Sequence, residues 1–311
     1  MLSFKRFLES APWKTASVRL GSKVFRIPFV EIQGNQPGKT MLITGGMDGD
    51  EYVGMEAVYS LYEKYMNGDF AGRLRLIPIL NIPGFQAECS QNPLDQHFPK
   101  YFFPGRENGS PTEQLIAWFC REKLSEVDVW YDAHGGAITE GLNPFLWTFH
   151  TGSRDIDAFS EQFVGICGAD LVMVESSGYG SKPYTLAKQG CHYVLGESGA
   201  RGERKNEDVA RHVHWIESLM RVHGMLEMTA SSKKRPRIWS HVAFVYASHD
   251  GIWRPEANIG LEQKKGQVIG QSVKIDGSCL EDIQSSHNGI PLWWKETMAM
   301  RKGDILLAIG Y

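Results

Sequence analysis

From Lys39 to about Ala230 the chain alternates short β-rich runs with amphipathic helical runs, the pattern of a mostly parallel sheet covered by helices. Strands are predicted over 40–44, 74–80, 128–133, 144–149, 171–175 and 192–197, and helices over 51–66, 111–124, 154–166 and 206–226. The last helix carries the clearest end signals: Asn206 is placed to cap it, Glu207 and Asp208 fall in its first turn, and Gly224 lies near its end. The β-rich stretch 17–34 predicts an antiparallel hairpin or edge added to the sheet.

After a basic, serine-bearing linker the texture changes to short strands punctuated by glycine, with no helical period. The sequence divides into an α/β domain over 1–230, a linker over 231–237 and a small all-β domain over 238–311. Inside the last, "SHDGIW" at 248–253 and "KKGQVIG" at 264–270 are echoed by "SHNGIP" at 286–291 and "RKGDILLAIG" at 301–310. Two similar β units that cannot bury an apolar face alone are expected to pack together as a barrel-sandwich. No carrier lysine stands at a hairpin tip.

Of 311 residues, 42% are hydrophobic and 22% charged, enough for a buried core and against global disorder. A formal charge of −3 gives no electrostatic reason to expect nucleic acid or an anionic membrane as partner, and the short basic run at 233–237 reads as a solvated linker. No apolar run approaches the roughly 18 residues of a membrane span, and the first twenty residues lack a signal-peptide core, so a cytoplasmic location is expected. Five scattered cysteines without C-x-x-C pairing are expected to be reduced and uninvolved in the chemistry.

Three acidic or imidazole clusters fall where strands end, the ligand-binding edge of an open α/β sheet. Asp48 and Glu51 lie three residues apart in "GGMDGDEYVG", near enough to share one cation. His134 leaves a buried strand in "DAHGG", with Asp132 two residues before it and available to orient the imidazole from behind. Glu197 ends a third apolar strand. Each has a bland reading, since Asp-Gly-Asp is a common turn and Glu197 has Arg201 and Arg204 as neighbours for an ion pair. Their coincidence at three strand ends favours a site.

The arrangement resembles the succinylglutamate desuccinylase/aspartoacylase family, relatives of the zinc carboxypeptidases, over essentially the whole chain. "GMDGDE" at 46–51 is similar to that family's G-x-H-G-x-E, "DAH" at 132–134 to its D-x-H, and Glu197 to Gly199 to its E-x-G. Residues 81–95 followed by "FFPG" at 102–105 are similar to its N-P-x-x-F…N-P-x-D…F-P-G segment. The resemblance implies a carboxypeptidase-like three-layer α/β/α fold with a mixed central sheet. It further implies a divalent metal held by Asp48, Glu51 and His134, Glu197 as general base, and hydrolysis of an amide, or an ester, of a small N-acyl amino-acid-like compound or short peptide.

The chain departs from the family at several of these positions. Asp48 replaces a histidine ligand, which lowers the site's formal charge, weakens the metal as a Lewis acid and moves preference from zinc, the first expectation, toward manganese or another harder ion. Ser90 stands where a carbonyl-polarising arginine is expected, and Lys100 and Tyr101 where an Asn-Arg pair precedes F-P-G. Arg106 and Arg201 are the nearby candidates to take over. A working hydrolase with a changed substrate is the first reading, and a metal- or ligand-binding descendant without hydrolysis the second. A third treats Trp239, Trp253, Trp293 and Trp294 as an exposed binding rim, against their more ordinary use as packing. The C-terminal strands have two roles open to them, shaping the pocket mouth or joining copies into a homo-oligomer.

Overall fold

The computed structural model describes residues 13–176, 182–228 and 235–311. Lys233 and Lys234, and most of the linker expected over 231–237, lie outside the described residues. The first three strands are β1 (Lys14–Leu20), β2 (Lys23–Gln33) and β3 (Gln36–Gly45), followed by α1 (Tyr52–Tyr65), β4 (Ala71–Ile77), α2 (Ile82–Gln86) and α3 (Pro111–Glu122). Then come β5 (Val129–His134), β6 (Glu140–Leu142), β7 (Phe145–Phe149), α4 (Arg154–Ile166), β8 (Leu171–Glu175), α5 (Lys182–Lys188), β9 (His192–Glu197) and α6 (Asn206–Val222). The remainder is β10 (Arg237–Trp239), β11 (Val242–Tyr246), β12 (Gly251–Pro255), β13 (Val268–Val273), β14 (Cys279–Gln284), β15 (Ile290–Lys295), β16 (Ala299–Met300) and β17 (Ile305–Gly310).

Nine strands form one mixed sheet in the order β1-β2-β4-β3-β5-β9-β7-β8-β10. Its centre is parallel, β4, β3, β5 and β9 running together, while β2 and β7 enter antiparallel. All six residues of β5 are buried, as a strand covered on both faces requires. Alternation sorts the core. Val129, Tyr131 and Ala133 pack with Met41, Ile43 and the apolar faces of α1 and α6. Trp130 packs on the opposite side with Leu42 and the α3 residues Leu115, Ile116 and Phe119. With α4 beside α6 and α5 beside β9, the result is three layers, α/β/α.

Local chemistry explains where the helices begin. Ser110 and Glu113 form a reciprocal capping box at α3, with Pro111 in its first turn. At α6 the expected cap moves by one residue: Lys205 takes the cap position and Asn206 is already helical. Gly224, at φ +68°, follows the helix end in the left-handed conformation that suits glycine.

The C-terminal strands make two four-stranded sheets, β11-β17-β15-β6 and β14-β13-β12-β16. The repeat is visible in them, since the hairpin partners β12 and β13 of one sheet correspond to β15 and β17 of the other. Trp253, Ile269 and Ile283 of one sheet share a core with Leu306 and Leu307 of the other. Trp253 is fully buried and its Nε1 donates to the Lys295 carbonyl at 2.9 Å, while Trp293 stacks on Phe145, so these tryptophans are packing residues. Two pairings cross toward the N-terminal part: β10 extends the nine-stranded sheet beside β8, and β6 is the edge strand beside β15. No helix among the described residues is long and apolar enough to cross a membrane. Cys89, Cys120, Cys167 and Cys191 are free thiols.

Candidate metal and catalytic site

The parallel strands β3, β5 and β9 end side by side, and their C-terminal ends carry the candidate residues. Gly45 pairs with Ala133, and His134 with Glu197, across the sheet. Beyond β3 the chain turns through Gly46, at φ +62°, and reaches α1 at Glu51, which occupies the helix cap position without capping with its side chain. Instead the Glu51 carboxylate accepts from the Gly135 backbone N–H at 3.2 Å and lies 2.8 Å from His134 Nδ1. One atom each from Asp48, Glu51 and His134 falls within 4.8 Å of the others, and all three residues are buried.

Behind this cluster Asp132 lies on the same face of β5 as His134, because strand side chains repeat every second residue. Its Oδ2 is 3.3 Å from His134 Nε2, while Thr44 Oγ1 donates to Oδ1 at 2.7 Å and Tyr193 OH donates to Oδ2 at 3.2 Å. Lys182 Nζ sits 3.6 Å away among the rings of Phe103, Trp130 and Tyr193. Burial would raise the Asp132 carboxyl, but His134, Lys182 and Thr44 outweigh it and hold it below the usual carboxylate range. From the other face of the sheet, His212 Nε2 donates to the His134 carbonyl at 2.8 Å, and its Nδ1 accepts from Tyr131 OH at 2.9 Å.

The donors fit a divalent cation. Neither His134 nitrogen makes an aligned hydrogen bond despite its close carboxylates, and Asp48 Oδ1 and Glu197 Oε2 are buried without a hydrogen-bond partner. Burial and Asp48 together push Glu51 well above the carboxylate range, the signature of carboxylates crowded around a common point. Nδ1 of His134 faces the donor cluster and Nε2 faces Asp132, the arrangement in which a rear carboxylate fixes a ligand imidazole. Two carboxylates and one imidazole suit zinc or a harder divalent ion.

Glu197 has no ion pair among the described residues: Arg204 is on Glu56 at 3.1 Å, and Arg201 on Glu296 at 3.3 Å and Glu203 at 3.7 Å. Burial pushes its carboxyl up to about 7, against the opposing pull of His134 and Lys100. A carboxyl in that range takes and returns a proton near neutrality.

The positions expected at the substrate are placed as follows. The Lys100 ammonium forms an ion pair with Asp48 Oδ2. Ser90 Oγ donates to Asp50 Oδ1 at 2.7 Å. Tyr101, 59% exposed, lies at the surface beside Phe98. Arg106 is turned outward onto Glu113 at 2.6 Å, with 76% of its side chain exposed. Both arginines considered as stand-ins are thus taken up by other carboxylates. Sequence reasoning missed Asp50, which accepts from Ser90, and Lys182, which lies against Asp132. Asp50 lies inside the Asp-Gly-Asp-Glu run, whereas nothing in the sequence ties Lys182 to this place.

The family model described as "Succinylglutamate desuccinylase/Aspartoacylase catalytic domain" matches residues 37–223, more than half of the chain. An N-alpha-acetyl-L-2,4-diaminobutyric acid deacetylase of Halomonas elongata is 25% identical over 286 residues, 88% of this chain and 82% of that protein. The product-bound ectoine utilization protein EutE (DoeB) of Ruegeria pomeroyi superposes with a TM-score of 0.84 at 22% identity, covering 97% of this chain and 99% of that one. A succinylglutamate desuccinylase/aspartoacylase of Rhodobacter sphaeroides gives 0.82 at 21% identity, covering 96% and 94%. With the fold and the matched catalytic region in agreement, the chain belongs to the succinylglutamate desuccinylase/aspartoacylase family of deacylating hydrolases.

Proposed function

We propose that this protein is a metal-dependent hydrolase that cleaves the amide bond of a small N-acyl amino-acid-like substrate. The observation that carries the reading is the convergence of Asp48, Glu51 and His134 on one point, with Glu197 beside His134 on the neighbouring strand. Asp48, Glu51 and His134 would hold the ion, zinc first and manganese second. A bound divalent ion polarises the acyl group and acidifies water. Glu197 takes a proton from the attacking water and delivers it to the leaving amine, so that the amine departs neutral. Asp132 fixes the His134 ring, and Thr44, Tyr193 and Lys182 fix Asp132. The small diamino acid in the name of the Halomonas relative supports a substrate of this size.

The test combines metal content with one substitution. Protein purified without chelator should carry about one equivalent of zinc or manganese, lost in His134→Ala. Glu197→Gln should keep the metal and lose on the order of 10²–10⁴ in kcat against N-acyl amino acids. Wild-type turnover by Glu197→Gln would refute the base assignment. Absence of metal after soaking in excess zinc and manganese would favour the reading of a ligand-binding descendant.

A further inference from the structure

We propose that a cavity apart from the metal cluster binds a small amphipathic carboxylate, its charged end on Lys182 and its hydrocarbon body along an apolar wall. The cavity holds about 410 Å³, within the roughly 300–1,000 Å³ of small-molecule sites. It lies between the end of α3, the entries to β5 and β9, and α5, where Leu124, Val127, Leu186 and Cys191 line it together with Phe103 and Pro104. Those entries are the N-terminal ends of the two strands, whereas His134 and Glu197 stand at the C-terminal ends. The six residues of β9 separate Cys191 from the end of Glu197, about 20 Å of extended chain. The cavity is thus a different place from the metal cluster, and its ligand does not depend on the hydrolase reading.

Below its exposed rim the wall is neutral. Burial pushes the Cys120 and Cys191 thiols up to about 11 and about 12, so neither carries charge near neutrality. Arg121 and Glu126 are exposed at the rim, with Arg121 paired to Glu107 and Glu122. Lys182 is the charge that lies deeper, its side chain 11% exposed. Its ammonium is 4.7, 4.9 and 4.4 Å from the ring centres of Phe103, Trp130 and Tyr193, which favour a cation through their π faces. Asp132 Oδ2 is 3.6 Å away, beyond hydrogen-bond length, and already accepts from Tyr193 OH. With three N–H groups, the ammonium has donors to offer a further acceptor, and a carboxylate entering from the cavity meets them with charge-assisted bonds. A neutral ligand would make weaker bonds there, and an amine would be repelled. Apolar walls leading to one buried cation match a hydrocarbon chain with an anionic end.

Calorimetry on the full-length protein, with and without excess EDTA, tests this with octanoate, 1-octanol and octylamine as probes. Octanoate should saturate at about one equivalent and bind about ten-fold or more tighter than 1-octanol, with octylamine not binding and EDTA making no difference. Lys182→Met should remove the preference for octanoate over 1-octanol. Leu124→Trp narrows the cavity and keeps the lysine, and should weaken octanoate and 1-octanol alike, with the fold checked by circular dichroism. Should Lys182→Met fail to fold, Leu124→Trp and the wild-type ranking of the three probes decide. Absence of saturable octanoate binding, equal affinity for octanoate and 1-octanol, loss of octanoate binding in EDTA, or undiminished octanoate binding in either variant overturns the inference.

Discussion

His134 faces carboxylates with both ring nitrogens, and they serve different ends. Glu51 and Asp48 lie on the Nδ1 side at 2.8 and 3.9 Å, Asp132 on the Nε2 side at 3.3 Å. Replacing Asp132 by Asn removes the rear anchor, and metal affinity should fall by about 10- to 100-fold with the fold intact, measured by competition with a chromophoric chelator. Lys100 acts in the opposite direction. Its ammonium competes for Asp48, so Lys100→Met should tighten metal binding in the same assay; unchanged or weaker binding would show that the ion pair does not oppose the metal. The Asp132–His134 relation could be read from the sequence, because two-residue spacing on a strand fixes a shared face. The Lys100–Asp48 pair could not: 52 residues separate the partners, and only the folded loop between α2 and α3 brings them together.

The same distinction between local and long-range information holds for the elements. The helices predicted over 154–166 and 111–124 were legible because apolar periodicity is local, and they are found at 154–166 and 111–122. Strands β6 and β10 were not, having three residues each and existing only through partners far along the chain. The cap of α6 slipped by one residue because several polar residues in a row compete for it. Helix α1 shows what an element does for the site. Gly54, in its first turn, lies so close to β5 that an added Cβ would come within 2.2 Å of the Ala133 carbonyl oxygen. Gly54→Ala must therefore lift the start of α1, and Glu51 with it, away from His134. The expected cost is about 1–3 kcal/mol in urea unfolding together with loss of bound metal. A variant of full stability and full metal content would show that the helix start yields without cost.

At the scale of the molecule, pH acts on buried imidazoles outside the candidate site. His192 at the start of β9 and His223 just after α6 share a hydrogen bond of 2.9 Å, and burial pushes them down to about 3 and about 4. Their pKa is thus lower folded than unfolded, where it is near 6.5, so below that pH the unfolded chain binds more protons. Their contribution is fully present above pH ~6.5 and is lost as pH falls toward their folded values. Between pH 6 and 5 it should steepen the decline of stability by as much as two protons, about 2.7 kcal/mol per pH unit. Comparing urea unfolding of wild type with His192→Asn/His223→Gln at several pH values isolates this component; parallel pH profiles would refute it.

The pairing of β6 with β15 bears on how the chain is made. Strand β15 is complete only when flanked by β17 on one side and by a segment some 150 residues upstream on the other. A ribosome delivers β6 long before β15, so the growing chain holds a docking edge ready for strands still to be synthesised. The converse applies to a fragment covering only 240–311, which would expose the unpaired flank of β15 with Trp293 and Trp294 upon it, a template for edge-to-edge association. Such a fragment should aggregate when expressed alone and become soluble when residues 137–145 are supplied as a peptide, as light scattering would show. Exchange of the C-terminal segment between relatives should succeed only when β6 travels with it.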